Sequence, residues 1–180
     1  MACPATSTGS APKPARRDAR ARAAVAFALV VAACAAAAAE PELLPAEQAF
    51  RFSARALDDR TLEVRFAVAD GYYLYRDKLA FVVEPAAAGV AAPALPPGKV
   101  KDDPFFGQVE TYRGEVVAKL PLAKGAPGQS LVLVADSQGC ADIGVCYPVN
   151  RQKVTLVLPG PGKGPGPVVE AHPRKKNWFK

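Results

Sequence analysis

Two cysteines, Cys140 and Cys146, bracket a short turn-forming segment within Gln138-Gly139-Cys140-Ala141-Asp142-Ile143-Gly144-Val145-Cys146-Tyr147-Pro148. The apolar runs Leu131-Val132-Leu133-Val134 and Val154-Thr155-Leu156-Val157-Leu158 flank this stretch, so a β-hairpin would fold the two sulfurs together across its mouth. That arrangement points to thiol chemistry and makes a disulfide geometrically sound. The loop such a bond closes is about seven residues long and contributes only roughly 2 kcal/mol in the chain-entropy model. An inert staple in a secreted β-domain and a bond that is exchanged in function therefore both stand at this point.

Other chemistries lack their residues. The single histidine, His172, lies far from the pair in sequence, and two thiolates do not complete a tetrahedral metal site. The same shortage argues against a Cys-His or Ser-His-Asp hydrolase, and no Gly-rich phosphate loop is present. No metal and no cofactor beyond the disulfide itself is expected.

The elements that must position the cysteines read as strands. Leu62, Val64, Phe66 and Val68 alternate with polar or small residues, and Asp58-Asp59 and Asp70-Gly71 bracket them as turns. Leu79 to Val83, Glu115 to Leu122 and the two runs beside the cysteines add further strands, with Gly125-Ala126-Pro127-Gly128 as a turn. Several short strands at this spacing predict an all-β domain, an immunoglobulin-like β-sandwich with the cysteine pair on a β-hairpin. The domain is expected over residues 40–158. The Pro/Gly-rich run from Pro159 to Pro167 reads as the start of a disordered basic tail over 159–180.

At the other end, Arg16, Arg17, Arg20 and Arg22 precede an apolar, alanine-rich run ending at Ala39, the pattern of a cleaved export signal over 1–39. The segment Val31-Ala32-Ala33-Cys34 also has lipobox form, which would make Cys34 a lipid-anchored N-terminus. Cys3 lies in the leader. The net charge of +6 is peripheral, because the segment from Glu40 to Leu158 holds 13 basic and 15 acidic residues. That distribution removes the electrostatic footprint of a nucleic-acid binder. The run Arg174 to Lys180, with Trp178 and Phe179, allows a weak contact with an anionic membrane, against the simpler reading of a solvated tail.

A second cluster, Lys101-Asp102-Asp103-Pro104-Phe105-Phe106-Gly107-Gln108, sets adjacent aromatics in a polar loop. It would serve as a local lid on the core or as a cap over a reactive sulfur, since exchange requires access. Asp103 could accept a proton or a hydrogen bond from a thiol.

Three segments in this order, Asp70-Gly71-Tyr72-Tyr73-Leu74-Tyr75-Arg76, Asp103-Pro104-Phe105-Phe106-Gly107 with Glu110 and Tyr112, and Gln138-Gly139-Cys140-Ala141-Asp142 through Cys146-Tyr147-Pro148, resemble the periplasmic N-terminal domain of the thiol:disulfide interchange protein DsbD. The resemblance covers about Pro45 to Leu158. It implies an immunoglobulin-like sandwich in the periplasm that relays reducing equivalents from a thioredoxin-like or membrane-bound donor to client disulfide proteins such as isomerases and cytochrome c maturation factors. On it, Cys146 is the attacking and attacked sulfur, Cys140 its resolving partner, Phe105 the cap-loop residue over the disulfide, and Asp103 the cap-loop acid. Tyr73 and Tyr75 match tyrosines beside the site, and Phe106 and Gly107 complete the cap loop. This chain departs from the family pattern at Pro104, where a second acid is usual, and at Phe106, where a tyrosine is usual. The expectation is a monomeric, stand-alone protein-disulfide oxidoreductase that needs a separate electron donor. The competing reading is an exported immunoglobulin-like binding module whose disulfide is inert.

Overall fold

The computed structural model describes residues 42–104 and 106–173. The segment expected to be a leader, with Cys3 and Cys34, the basic cluster Arg174 to Lys180, and Phe105 lie outside these residues.

A single helical turn, α1 (Ala46–Ala49), leads into β1 (Phe50–Ala56) and β2 (Thr61–Val68), which pair antiparallel from Phe50↔Val68 to Ala56↔Leu62. β7 (Glu115–Pro121) lies on the far side of β2, with Phe66 opposite Val116. Both strands of that pair alternate between the core and the outer face, the period of two that a half-buried antiparallel sheet imposes. β8 (Ser130–Ser137) is central to a second sheet, between β4 (Ala80–Glu84) and β10 (Asn150–Val157). Phe52, Phe66, Leu131, Leu133 and Leu156 share one core, so the two sheets form the expected sandwich.

The alternation read over Leu62, Val64, Phe66 and Val68 is present as expected, and all four side chains are buried. β1 is a strand that the sequence pattern does not single out. The tail departs from expectation as well. After Leu158 the chain turns through the Pro/Gly run and adds β11 (Val169–Glu170) to the edge of β1, with Ala54 opposite Val169 and the Gly166 amide donating to the Ala56 carbonyl at 2.8 Å. Disorder over 159–173 is therefore corrected. Proline and glycine deny this segment a helix or a long strand, but a two-residue edge strand needs few donors and leaves the prolines outside the ladder.

A third sheet carries the candidate site. It runs β5 (Lys99–Asp103), β6 (Gly107–Tyr112), β3 (Tyr72–Tyr75) and β9 (Gly139–Ala141). The chain leaves β8 at Ser137 and enters β9 two residues later, passing from one sheet to another. Among the described residues, no helix is long and apolar enough to cross a membrane.

Candidate functional site

β8 and β10 pair in register from Asn150↔Ser137 to Val157↔Ser130, which makes the hairpin foreseen between the two apolar runs. The cysteines lie beyond the end of that ladder. Cys140 sits on β9, opposite Tyr73 of β3, and Cys146 returns opposite Cys140 as an isolated bridge. The turn between them is closed by the Gly144 amide on the Ala141 carbonyl at 3.0 Å and the Ala141 amide on the Val145 carbonyl at 2.8 Å. Gly144 has φ +88°, a conformation that a β-carbon penalises. Cys140 and Cys146 are joined by a disulfide, with Cα atoms 3.9 Å apart.

Gly139 makes the sheet switch possible. A β-carbon there would collide with the Tyr73 carbonyl and stand 2.7 Å from the Phe50 ring, so only glycine lets β9 approach β3 this closely.

β3 sorts its side chains by parity. Tyr72 and Leu74 enter the main core, whereas Tyr73 and Tyr75 form a separate buried cluster with Cys140, against which Val109 and Cys146 pack. Both faces are covered, which is why the run Tyr-Tyr-Leu-Tyr shows no polar alternation in the sequence. The Tyr75 hydroxyl lies 3.2 Å from Cys140 Sγ and 4.0 Å from Cys146 Sγ, and it donates to Asp103 Oδ2 at 2.7 Å. Tyr73 donates to the same oxygen at 3.2 Å. Burial, then the bonds to Asp103 and Tyr73, pushes the Tyr75 phenol far above its ordinary range. It remains a protonated donor at any pH the domain meets.

Asp103 ends β5, and its side chain is fully buried. Its Oδ1 accepts the Phe106 amide at 3.3 Å, while Lys101 Nζ stands 3.9 Å from Oδ2 and 3.7 Å from the centre of the Tyr73 ring. Phe106 is 45% exposed and packs against Tyr75 in a T-shaped arrangement at 5.2 Å, with Lys78 Nζ over its ring at 4.9 Å. Gly107 opens β6 at φ +70°, which turns the chain back from β5. Tyr73, Tyr75, Asp103, Phe106, Cys140 and Cys146 are thus brought to one place, with Gly107 at its turn. The position assigned to Phe105 falls outside the described residues.

The two sulfurs differ in access. Cys140 is wholly buried, and Cys146 is only partly so. Exposed Ile143 and Val145 lie in the loop between them. Sequence reasoning passed over Lys101 and Arg113. Arg113 pairs with Asp142 inside the disulfide loop at 2.6 Å, and nothing in the local pattern of either residue marks the contact. Asp142 itself reads only as a turn former. Among the described residues, no group of three or more His, Cys, Asp or Glu side chains is placed to hold a metal ion.

The family model described as the N-terminal part of thiol:disulfide interchange protein DsbD matches residues 40–158. The DsbD of Ralstonia nicotianae is 52% identical over 113 residues, which are 62% of this chain and 18% of that protein. DsbD 2 of Pseudomonas aeruginosa is 42% identical over 123 residues, 68% of this chain and 19% of that protein. The chain thus matches less than a fifth of the length of each of these relatives. Among solved structures, the reduced N-terminal domain of Neisseria meningitidis DsbD superposes with a TM-score of 0.61 at 35% identity, over 71% of this chain and 94% of that one. The complex between the DsbD and PilB N-terminal domains of the same organism gives 0.55 at 35% identity, over 74% and 95%.

Proposed function

Because this chain belongs to the family of the DsbD N-terminal domain, we propose that it is a thiol-disulfide exchange domain that relays reducing equivalents to client proteins through Cys140 and Cys146. The observation that carries the reading is the unequal access of the sulfurs, with Cys140 buried under Tyr75 and Cys146 at the rim. Exchange needs a collinear approach of an outside thiolate to one sulfur, and only Cys146 offers it.

The relay runs in two balanced halves. The dithiol of a thioredoxin-like or membrane-bound donor attacks Cys146 Sγ, the Cys140–Cys146 bond breaks, and resolution by the donor's second thiol leaves both cysteines reduced and the donor oxidised. In the forward half, the Cys146 thiolate attacks a client disulfide, forming a mixed disulfide and releasing one client thiolate. Cys140, as thiolate, then attacks Cys146 Sγ, which re-forms the internal bond and releases the second client thiolate. Two electrons pass to the client, and two protons leave the cysteines for the client thiols. In this scheme Asp103 takes the Cys140 proton through the Tyr75 hydroxyl and then releases it toward the departing client thiolate, an assignment supported by the 2.7 Å and 3.2 Å contacts around that oxygen. Phe105, Phe106 and Gly107 act as the cap loop.

The complex of the Neisseria DsbD and PilB N-terminal domains supports a protein partner for this domain. Disulfide isomerases and cytochrome c maturation factors are the client classes we propose, and the periplasm is the compartment, supported by the basic and apolar start of the chain.

The test is the reduction potential of the Cys140/Cys146 pair, with Cys140→Ser used to trap mixed disulfides. A value above about −270 mV together with a species linked at Cys146 is expected; a bond that stays oxidised below about −300 mV with nothing trapped returns the domain to an inert binding module. Partner-linked species on Cys146→Ser would reverse the roles of the two cysteines.

A further inference from the structure

One charged pair outside the tyrosine and aspartate cluster acts on the loop between the cysteines. Asp142 is inside the ring that the disulfide closes. Arg113, between β6 and β7, meets it with both terminal nitrogens, Nη1 to Oδ2 at 2.9 Å and Nη2 to Oδ1 at 2.6 Å. Nη1 also donates to the Tyr72 carbonyl of β3 at 3.2 Å, and the guanidinium carbon lies 5.2 Å from the centre of the Tyr73 ring. One planar side chain therefore holds both the loop and the strand that presents the tyrosines. A lysine could not do so, because a point charge lacks the fork that engages two oxygens and a carbonyl together.

We propose that Arg113 is a positioning residue for the redox pair: through Asp142 it keeps the loop folded after reduction and holds Cys146 facing Cys140. The inference rests on the exchange reading and deepens it. With the disulfide intact, the loop is already constrained, and the grip orders little more. After reduction the grip itself must supply that order, so it is weaker in the dithiol form. By linkage, whatever the disulfide adds to the grip, the grip adds to the disulfide. Loss of Arg113 therefore shifts the pair toward the dithiol. Both side chains are nearly half exposed, at 48% and 46%, which keeps the effect modest. The expected change is about threefold in the thiol-disulfide equilibrium, or roughly 14 mV toward less negative potential at about 30 mV per tenfold.

The experiment equilibrates the full chain and its variants in thiol buffers and reads the fraction oxidised. Arg113→Gln and Asp142→Asn are each expected to shift the equilibrium about threefold, the double variant no further than either single, and the exchanged pair Arg113→Asp with Asp142→Arg to recover part of the loss. Unchanged potentials in folded single variants overturn the proposal, since a merely structural contact would lower the melting temperature alone. A shift for Arg113→Gln without one for Asp142→Asn also overturns it, by assigning the effect to the Tyr72 and Tyr73 contacts. If Arg113→Gln does not fold, Asp142→Asn decides by itself. Trapping on Cys140→Ser is read separately: shifted potentials with no partner ever trapped would support the positioning role and count against the relay.

Discussion

At the scale of single residues, the site is a set of hydroxyls converging on one buried carboxylate beside a buried sulfur. Tyr75 holds the shorter bond to Asp103, 2.7 Å against 3.2 Å for Tyr73, and it alone of the two is in hydrogen-bonding distance of the sulfurs. Tyr75→Phe should destabilise the oxidised domain by about 1–3 kcal/mol, and Tyr73→Phe by less. Urea unfolding of the two variants checks the order, and equal losses would contradict it. The tyrosines were legible as candidates only through the family motif, whereas Asp103 stood out beside the paired aromatics of its polar loop. Nothing in the types Tyr, Tyr and Asp, spread over about thirty positions, announces a shared oxygen. Lys101 and Arg113 were not legible at all, because a cation over an aromatic ring is recorded in no local spacing.

At the scale of elements, the site depends on β9 leaving the β8 sheet to pair with β3. Gly139 is the residue that lets that pairing close, since a β-carbon there meets the Tyr73 backbone carbonyl as well as the Phe50 ring. Gly139→Ala should cost about 1–3 kcal/mol and increase amide exchange in β3 and β9 before β2 and β7 are affected. Uniform exchange across all sheets would count against this local account. β11 permits a second check: truncation after Leu158 should leave β1 as an edge and speed exchange along residues 50–56, while β8 and β10 keep their protection. Strands with one solvated face, such as β2, were readable from alternation. β3, buried on both faces, and β11, only two residues long, just after a Pro/Gly run and held by a strand more than a hundred residues earlier, were not.

At the scale of the whole molecule, stability should respond to acid and to reduction. Arg151 beside Asp136 and Arg113 beside Asp142 hold both carboxyls below their ordinary range, with burial opposing in each case. Carboxylates depressed in the folded state stabilise it above their unfolded value of about 3.9 and lose that contribution as pH falls through the folded value. The melting temperature of Asp136→Asn should therefore lie below that of the parent at pH 7 and converge with it as pH falls through the lowered folded-state value. A gap that persists in acid would show that the ion pair is not its source. Reducing the disulfide should lower the unfolding free energy by about 2 kcal/mol, the small amount expected of so short a loop. The sequence by itself determined the all-β class, the alternating strands such as β2, the pairing of Cys140 with Cys146 and, through three ordered motifs, the family, because these depend on residue types at short or recurrent spacing. Tertiary structure alone decided which sulfur is sheltered, which hydroxyl stands beside it, and that Arg113 grips the loop. Those properties belong to contacts between segments far apart in the chain, where burial and charge are set by what the fold brings alongside rather than by any residue's neighbours.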